Sequence, residues 1–410
     1  MGGIMNNVLE GMRVVESAAF VAVPLAGMNL AQMGAEVIRI DPIGGAPDYT
    51  RWPVTEGGQS LFWAELNKGK RSIAVDMRSE RGREIVTEVV TAAGQDAGMF
   101  MTNRKVPGWL DYETLSARRP DLVMVTLTGD RHGRPQVDYT VNPAVGFPDA
   151  TGPEESTEPV AHVLPAWDCI AGNMAVSALL AAERRRLRTG EGQEVTLTLK
   201  DVAAAMLGNL GIIGEVSVNG EDRPKGGNSL YGAYGQDFVC ADGRRIMVIG
   251  LTQRQWRKIV ELTGTGDQMA ALESRLGLDL KEQGARYKAH HEITEILKPW
   301  FAARTLPEIA EILEKNTMTW GEFRSFARAV NEDPDISPEN PMFSRIEQPG
   351  IGTYPVPGSP MSFSAAPRQT PAPAPHLGAD TEAVLADVAK LPSGEIGKLF
   401  DEGVVAGTGG

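Results

Sequence analysis

Cysteine is scarce in this 410-residue sequence, and the two present, Cys169 and Cys240, lack the spacing of a secreted disulfide framework. Two thiols are also too few to form a zinc site by themselves. Positive charge is in deficit as well, because 40 basic residues face 53 acidic ones and leave a net charge of −13. These shortages predict a cytoplasmic protein with no metal and no nucleic-acid partner, in which a phosphate-bearing ligand needs a local basic pocket.

Long apolar runs are missing too. The most apolar early stretch, residues 14–37, is interrupted at Glu16, Pro24, Asn29 and Gln32. The opening letters MGGIMNN also lack the basic and apolar pattern of a signal peptide. No membrane partner is therefore expected.

The glycine fingerprint of dinucleotide-binding proteins, GxGxxG, is absent as well. Gly27 and Gly34 stand too far apart to form it. The sequence therefore gives no support to a nicotinamide or flavin enzyme.

The first part of the chain contains alternating strand and helix patterns. Buried strands are predicted at residues 13–19, 36–41, 72–77, 98–102 and 122–128. Helices are predicted between them at residues 23–33, 80–93 and 112–118. Strands that alternate with helices form a parallel sheet covered by helices, so we expect an α/β fold with a Rossmann-like large domain.

A glycine-rich stretch, EDRPKGGNSLYGAYG, is predicted to mark a change of domain. Beyond it, strands at residues 236–241 and 245–251 flank an Ala-Asp-Gly turn, and helices follow at residues 253–263, 291–303 and 306–315. The proline-rich AAPRQTPAPAP is predicted to be a stiff, extended connector. The predicted division is a large domain at residues 1–220, a smaller α+β domain at 221–345 and a C-terminal segment at 346–410.

Apolar residues recur at helical spacing from residue 173 to 187, and Gly190 ends this predicted helix, so the helix is expected to start near Asp168. An aspartate at the start of a helix is a favoured N-cap, because its side chain accepts an unpaired backbone N–H. The same place holds a carboxylate against the positive end of the helix dipole, and the small residues Ala171 and Gly172 leave room for an incoming carbonyl. The residues alone therefore allow both a cap and a nucleophile.

Several motifs occur in an order that is typical of one enzyme family. They are LEGMRVVESAAFVAVPLAGMNLAQMGAEVIRID (residues 9–41), LNKGKRSIAVDM (66–77), Asp168 with Gly172, RTGEGQEVTLTLKDVAAAM (188–206) and PHLGADTEAVLADV (375–388). Over nearly its whole length, the sequence resembles the family III CoA-transferases.

This resemblance implies a covalent nucleophile at Asp168, an acyl-CoA thioester as the substrate and no permanently bound cofactor. It also implies an interlocked homodimer in which the C-terminal segment returns to the large domain. As a hypothesis, the Asp168 carboxylate attacks the thioester carbonyl to give an acyl-aspartyl anhydride. The released CoA thiolate then converts this anhydride into an aspartyl-CoA thioester.

The resemblance implies that residues of the matching segments contact the coenzyme. Lys70 and Arg71 are expected to bind the CoA phosphates, although such a basic cluster is more often a solvated turn. Further contacts, through the backbone or a covering loop, are expected at Val21, Ala22, Asn103, Arg104 and Lys105.

Three basic positions of the family are replaced in this sequence. They fall on Pro42, Tyr112 and Val137. We therefore expect other cations to bind the phosphates in their place, with candidates at Arg39, Arg51 and Arg104.

Acyl-CoA racemases share the family fold and need a histidine for proton transfer at the position of Val137. The five histidines of this chain are His132, His162, His290, His291 and His376. None falls on that position, and His132 would need a shifted loop to serve. Racemisation is therefore the weaker interpretation.

The stretch at residues 130–153 most resembles the branch of the family that moves CoA within one molecule, from C1 to C4 of mesaconyl-CoA. Asp138, Tyr139 and Asn142, together with Arg134, are polar enough to orient a dicarboxylate, yet each is equally able to cap or brace a loop. The predicted function is intramolecular CoA transfer on a short unsaturated dicarboxylyl-CoA.

Two glycines in the domain-change stretch are further candidates for the substrate site. Backbone N–H groups of the loop from Gly226 to Ser229 are expected to stabilise an oxyanion, unless Gly226 and Gly227 only form a hinge. Two other functions stay open, namely CoA transfer to a separate carboxylic acid and a non-enzymatic coenzyme-binding protein in which Asp168 is only a cap.

Overall fold

The structure is a computed structural model that describes residues 7–409. Its strands are β1 (Arg13–Ser17), β2 (Glu36–Asp41), β3 (Arg71–Val75), β4 (Met99–Thr102), β5 (Val123–Thr128), β6 (Gln193–Thr198), β7 (Tyr234–Val239), β8 (Arg245–Gly250), β9 (Thr319–Glu322), β10 (Phe343–Gln348), β11 (Gly352–Pro357) and β12 (Val405–Ala406). Its α-helices are α1 (Ala22–Gln32), α2 (Leu61–Leu66), α3 (Glu80–Val90), α4 (Tyr112–Arg118), α5 (Asp138–Val141), α6 (Phe147–Ala150), α7 (Ala166–Thr189), α8 (Leu199–Asn209), α9 (Ile212–Gly214), α10 (Gln253–Thr263), α11 (Gly266–Leu276), α12 (Gln283–Lys288), α13 (His290–Ala302), α14 (Leu306–Lys315), α15 (Phe326–Glu332), α16 (Thr381–Asp387) and α17 (Ser393–Asp401). Short 3-10 turns at Pro143–Val145 and Pro334–Ile336 and a π-helical turn at Glu215–Asn219 lie between them.

Two compact units divide the chain. The first unit contains the described residues up to Val145, Val163–Ile213 and the residues from Asp333 onward, and the second contains Gly146–His162 and Gly214–Glu332. Residues 146–162 thus belong to the second unit, although the sequence predicted them in the large domain. Backbone and lysine hydrogen bonds explain the difference, because Gly227 N donates to Gly152 O at 3.0 Å and Lys225 Nζ to Thr151 O at 2.6 Å.

A seven-stranded sheet organises the first unit, in the order β12-β3-β2-β1-β4-β5-β6. Every neighbouring pair is parallel except β12 with β3. The order 3-2-1-4-5-6 is the doubly wound Rossmann arrangement, in which ligands bind outside the carboxyl ends of the strands where the order reverses. The predicted α/β class and Rossmann-like domain are confirmed, and the reversal places the expected crevice after β1 and β4.

The sheet of the first unit is buried on both faces. Its central strands therefore contain apolar runs, such as the fully buried Met99, Phe100 and Met101 of β4. One face packs on α3 together with the C-terminal helices α16 and α17, in a core that includes Ile85, Val384 and Leu399. Residues from both ends of the sequence thus share one core.

An antiparallel sheet, β7-β8-β9, organises the second unit. The predicted hairpin is present as β7 and β8, and helices α10, α13 and α14 cover it over a core that includes Tyr234, Trp256 and Phe301. Strand β9 was not predicted, because its four residues, TWGE, are too few to show an alternating pattern.

Strand β6 was also missed from the sequence. Its letters QEVTLT alternate polar and apolar residues, yet it pairs in parallel with β5 along its whole length. Helix α7 begins at Ala166, which agrees with the predicted start near Asp168. This start places Asp168 inside the first helical turn.

Within residues 7–409, no single helix is long and apolar enough to cross a membrane. A bent pair, Leu199–Asn209 with Ile212–Asn219, passes the same test of length and composition when the two helices are taken together.

Candidate active site

A cavity of about 530 Å³ opens in the first unit at the carboxyl ends of β1, β4 and β5. This is the place at which the strand order reverses. The lining residues are Ala19, Phe20, Val21, Ala22, Arg51, Trp52, Phe62, Asn103, Leu127, Thr128, Gly129, Gln136, Val137, Asp138, Tyr139, Pro165, Asp168 and Leu199. The wall is thus mostly apolar, with two carboxylates and one guanidinium.

Asp168 is not the N-cap of α7. The cap position is Pro165, which offers no side-chain acceptor, and Asp168 lies three residues further on. The capping oxygen comes from Asp138, whose Oδ2 accepts the backbone N–H groups of Trp167 at 2.7 Å and Asp168 at 3.1 Å. Because another carboxylate caps the helix, the Asp168 side chain is left to face the cavity.

Helix α7 approaches α1 closely on the cavity side. A Cβ atom at Gly172 would lie 2.6 Å from Ala22 O and 3.2 Å from Leu25 Cδ2. The predicted role of Gly172, to leave space for an incoming carbonyl, is therefore replaced by a packing role. Its missing side chain sets the distance between Asp168 and the segment of Val21 and Ala22 that forms the facing wall.

The environment of Asp168 favours its neutral form. Burial and, to a smaller extent, the charge of Asp138 raise the pKa of Asp168 while the charge of Arg51 lowers it, and together they move it from its ordinary 3.8 to about 7. A carboxylate of higher pKa is a stronger nucleophile once it has lost its proton. The site therefore holds a reactive carboxylate that is fully ionised only above neutral pH.

We expect kcat/KM to fall about tenfold per pH unit below pH 7, because protonated Asp168 cannot attack a carbonyl. A pH profile of the transfer reaction measures the midpoint of this fall in kcat/KM. The Asp138→Asn variant keeps an oxygen for the two helix N–H groups but loses the charge that raises the pKa of Asp168, so its midpoint should shift to lower pH. A wild-type profile that stays flat down to about pH 5 would contradict the assignment.

Arg39 and Lys70, two of the predicted CoA contacts, are buried in an ion-pair network. Arg39 binds Asp41 at 2.7 Å and Asp48 at 3.1 Å, and Lys70 binds Glu16 at 2.6 Å. Their side chains are at most 1% exposed. The geometry does not support phosphate contacts by either residue, because both charges are enclosed and already paired.

Arg39 and Lys70 form this network with Glu16, Asp41 and Asp48, and it is here called the Arg39–Lys70 network. The network also supports the cavity wall. Asp48 Oδ2 accepts the backbone N–H of Phe20 at 3.0 Å. Phe20 has a φ of 71°, which a residue with a side chain rarely adopts. The hydrogen bond holds this strained residue in place, and its ring lines the cavity.

Arg71 lies at the other end of the sheet. Its guanidinium binds Glu36 at 2.6 Å, and Glu36 is the first residue of the parallel strand β2. The cavity lies at the carboxyl ends of the strands, so the predicted phosphate contact of Arg71 is not supported either.

The predicted loop after β4 does reach the cavity in part. Asn103 lines it and donates from Nδ2 to Ala19 O at 3.0 Å, which joins the ends of β4 and β1. Arg104 and Lys105 follow on the exposed side of the loop, where Lys105 pairs with Glu194 at 3.3 Å. These two residues remain candidates for the CoA phosphates.

The residues predicted to bind the acyl group divide into two sets. Tyr139 lines the cavity and is 55% exposed. Asn142 is buried and accepts Trp167 Nε1–H at 3.1 Å, so it braces the start of α7 as Asp138 does. For Asp138 and Asn142 the bracing role is favoured over contact with a substrate carboxylate.

Gly226 and Gly227 lie in the second unit. The amide of Gly227 donates to Gly152 O at 3.0 Å, and the amide of Ser229 to Gly226 O at 2.8 Å. Two of the predicted oxyanion donors are therefore already bound within that unit. The role of this loop stays a prediction.

Val137 lines the cavity at the position where a racemase needs a histidine. Within residues 7–409, no histidine contributes to the cavity wall. The site therefore lacks the proton-transfer group on which the racemase interpretation depends.

Arg51 was not predicted as the cation of the acyl site. Among residues 7–409 it is the one positively charged residue of the wall, and its guanidinium lies over the rings of Phe62 and Phe20 at 5.2 and 5.7 Å. It was considered only as a substitute phosphate contact. Nothing in the local letters TRWP distinguishes it, because the chain brings it to the cavity from a loop.

The family model described as CoA-transferase family III matches residues 9–381. The chain is 54% identical to 2-methylfumaryl-CoA isomerase of Chloroflexus aurantiacus, with 98% of this chain and 99% of the relative covered. It is 28% identical to succinate–glutarate CoA-transferase of Agrobacterium fabrum, with 93% and 95% covered. A crystal structure of a CAIB/BAIF family protein from Brucella suis is similar with a TM-score of 0.76 at 27% identity, over 93% of this chain and all of the other. The chain therefore belongs to the CoA-transferase family III.

Proposed function

We propose that this protein moves CoA within one molecule and converts mesaconyl-C1-CoA into mesaconyl-C4-CoA. The observation that carries the proposal is the Asp168 carboxylate, which faces an apolar cavity of about 530 Å³ opposite a single arginine. The specific substrate is supported by the 54% identity to the isomerase, compared with 28% to the transferase that uses succinate and glutarate.

The first half of the proposed reaction transfers CoA to the enzyme. The Asp168 carboxylate attacks the C1 thioester carbonyl, and the C–S bond breaks to release CoA thiolate and a mixed anhydride. The thiolate then attacks the Asp168 carbonyl of the anhydride. This step forms an aspartyl-CoA thioester and frees mesaconate with both carboxylates ionised.

The second half runs the same steps through the other carboxyl. The C4 carboxylate attacks the aspartyl thioester, thiolate leaves, and thiolate then attacks the C4 carbonyl to restore the Asp168 carboxylate. No proton is gained or lost overall. The two carboxyls of mesaconate are trans and cannot close a five-membered anhydride, so an enzyme nucleophile is needed to pass CoA between them.

The cavity suits a free acid that has to present its second carboxylate without leaving. Its volume of about 530 Å³ falls inside the range of roughly 300–1,000 Å³ found for small-molecule sites. Phe20, Phe62 and Leu127 supply apolar walls for the methyl and alkene carbons. Arg51 supplies a positive charge for the carboxylate that is not reacting.

The direct test incubates the purified protein with mesaconyl-C1-CoA in the presence of isotopically labelled free mesaconate. We expect the C4 thioester to form while the thioester pool stays unlabelled. Label that enters the pool would contradict transfer within one molecule and would indicate an ordinary CoA-transferase. Binding without any product would instead support a coenzyme-binding protein.

Substitution of Arg51 tests the carboxylate contact. We expect Arg51→Gln to lower kcat/KM for mesaconyl-C1-CoA about 10- to 100-fold, because a charge-assisted hydrogen bond contributes roughly 1.5–3 kcal/mol. Arg51→Lys should retain part of the activity. The measurement is made at about pH 8.5, where the influence of Arg51 on the ionisation of Asp168 no longer matters.

Crotonyl-CoA provides the control, since it has the alkene and thioester but no second carboxylate. Hydroxylamine-trapped cleavage of this thioester should change little in Arg51→Gln. An equal loss with both thioesters would contradict the carboxylate contact and would support a contact of Arg51 with the CoA part.

The homodimer also belongs to this proposal. Exposed apolar side chains support an interface, because Val163, Val218 and Phe326 are each at least 80% exposed. Light scattering after size-exclusion chromatography is expected to give twice the chain mass of 44.0 kDa. A particle of single-chain mass would contradict the dimer.

We further propose that the protein acts in the cytoplasm on a soluble acyl-CoA, without a nucleic-acid or membrane partner. Two observations support this location. The cysteines Cys169 and Cys240 are both free thiols, which suit a reducing compartment. The net charge of −13 disfavours nucleic acid.

A further inference from the structure

We propose that Glu154, His290 and His291 form a binding site for a divalent transition-metal ion of the zinc class. All three residues belong to the second unit, and none of them lines the Asp168 cavity. Their candidate ligand atoms, one oxygen and two nitrogens, lie within 4.8 Å of one another. None of these three residues has a role in the proposed CoA transfer.

The spacing of the ligand atoms matches a tetrahedral metal site. His290 Nε2 lies 3.4 Å from Glu154 Oε1, and His291 Nε2 lies 3.0 Å from Glu154 Oε2. Ligands that are bonded to zinc at about 2.0–2.1 Å in a tetrahedron lie roughly 3.3 Å apart. The two nitrogens face different oxygens of Glu154, so a rotation of this carboxylate brings one oxygen within reach of an ion that both histidines bind.

The ring of His290 is already oriented as a metal ligand. Its Nδ1 lies 2.6 Å from Tyr287 O, and because a carbonyl only accepts, Nδ1 carries the proton. The ring also stacks on Tyr287, with centroids 5.3 Å apart and planes inclined by 6°. In the neutral ring, Nε2 therefore directs a lone pair at the carboxylate of Glu154.

A cation placed between this lone pair and the carboxylate would be stabilised by both. A metal ion supplies that cation, and a histidine whose Nδ1–H binds a backbone carbonyl is the usual arrangement at protein zinc sites. A proton on Nε2 is the competing occupant. The set of two imidazoles and one carboxylate is the ligand type that zinc prefers over magnesium or calcium.

The surroundings favour a cation and leave it accessible. A cavity of about 670 Å³ adjoins Glu154 and His291, and Glu155, Asp237 and Glu295 also line it. One cation, Arg245, lines the same cavity, and it is paired with Asp237. The fourth coordination position would thus face solvent in an acidic cavity.

Metal binding would join two parts of the second unit. Glu154 lies in the segment after α6, whereas His290 and His291 begin α13. A shared ion would hold this segment against the helix and should raise the unfolding temperature of the protein by a few degrees. The ion is thus assigned a structural or regulatory role.

The test titrates the full-length protein with Zn²⁺ by calorimetry and with Co²⁺ by visible absorption. We expect one ion per chain, with Co²⁺ bands typical of four-coordination and without the thiolate charge-transfer bands that Cys169 or Cys240 would give. His291→Ala and Glu154→Gln should each weaken binding at least about tenfold. The side chain of His291 is 67% exposed, so its loss should not disturb folding.

His376→Ala is the matched control, because it removes an exposed histidine from the first unit and should leave both titrations unchanged. Equal Zn²⁺ affinity in the wild type and His291→Ala would overturn the proposal. Wild-type protein that takes up no Zn²⁺ at millimolar concentration would also overturn the proposal, since a proton would then occupy the place between His290 and Glu154.

Discussion

Asp168→Asn is expected to lose about 10⁴-fold or more in turnover of mesaconyl-C1-CoA, because an amide cannot form the anhydride through which CoA passes. Asparagine has nearly the same shape, and the α7 amides are capped by Asp138 rather than by Asp168. The start of the helix should therefore stay intact. Turnover is measured by chromatographic separation of the C1 and C4 thioesters.

Stability measurements separate the loss of a nucleophile from the loss of the fold. A carboxyl with a pKa raised from 3.8 to about 7 binds more protons when folded than when unfolded, so its contribution to the free energy of unfolding falls as pH rises through this range. Asp168→Asn removes the destabilisation that comes from ionising this buried carboxyl, so the variant should be at least as stable as the wild type above pH 7.

A second aspartate in the first turn of a helix provides the control for both measurements. Asp267 occupies that place in α11 but is exposed, and Asp267→Asn should change neither turnover nor the dependence of stability on pH. Hydroxylamine added with acyl-CoA should modify Asp168. Near-normal turnover of Asp168→Asn, or modification at another residue, would contradict the nucleophile assignment.

Lys70→Met is expected to lower the free energy of unfolding by about 3–5 kcal/mol, the usual cost of leaving one member of a buried ion pair uncompensated. Burial lowers the pKa of Lys70 to about 8, the Glu16 carboxylate acts in the opposite sense, and Lys70 Nζ also donates to Pro24 O at 2.8 Å. The variant therefore leaves Glu16 with only the more distant Arg39, at 3.8 Å, and removes the lysine donor from Pro24 O. Chemical denaturation monitored by circular dichroism measures the loss.

Lys105→Met is the comparison that distinguishes a structural lysine from a ligand contact. Lys105 lies on the exposed loop after β4, and loss of its surface ion pair with Glu194 should change stability by about 1 kcal/mol or less. A raised KM for acyl-CoA in this variant would support the phosphate contact that remains proposed for it. If Lys70→Met instead keeps wild-type stability and raises KM, the interpretation of the buried network is wrong.

The Glu16→Gln/Lys70→Met double variant completes the Lys70 experiment. Removal of both charges should recover part of the stability lost in Lys70→Met, because no uncompensated carboxylate remains buried. A double variant that is as unstable as the sum of the two single changes would indicate that Lys70 acts through packing alone.

The first unit was predictable where the chain forms regular apolar patterns. The boundaries of β2 and α4 agree residue for residue with the sequence, because buried runs and helical periodicity are local signals. Strand β6 was missed because its alternating letters QEVTLT are stabilised by pairing with β5, which is distant in sequence. Strand β12 has two residues and could not be recognised without its partner β3.

The sequence predicted the chemistry of the candidate site better than it predicted the geometry. Asp168 was found through a family resemblance, and the choice between cap and nucleophile needed the coordinates of Asp138. Lys70 was predicted as a phosphate contact from the same resemblance, and a basic residue beside a turn gives no sign that it will be enclosed with Glu16. The place of Arg51 in the acyl site was not predicted, because its position depends on a loop with no periodic signal.

The outer edge of β3 carries a consequence for how the chain folds during synthesis. Ser72 N donates to Asp380 Oδ2 at 2.9 Å, Ala74 N to Thr381 Oγ1 at 3.2 Å and Asp76 N to Val404 O at 2.8 Å. The acceptors of Ser72 and Ala74 lie 308 and 307 residues further along the chain. The nascent protein therefore exposes an unpaired strand edge until these distant residues have been synthesised, and such edges recruit strands from other chains. Protection of this edge against aggregation thus depends on a part of the chain that is made long after β3 itself.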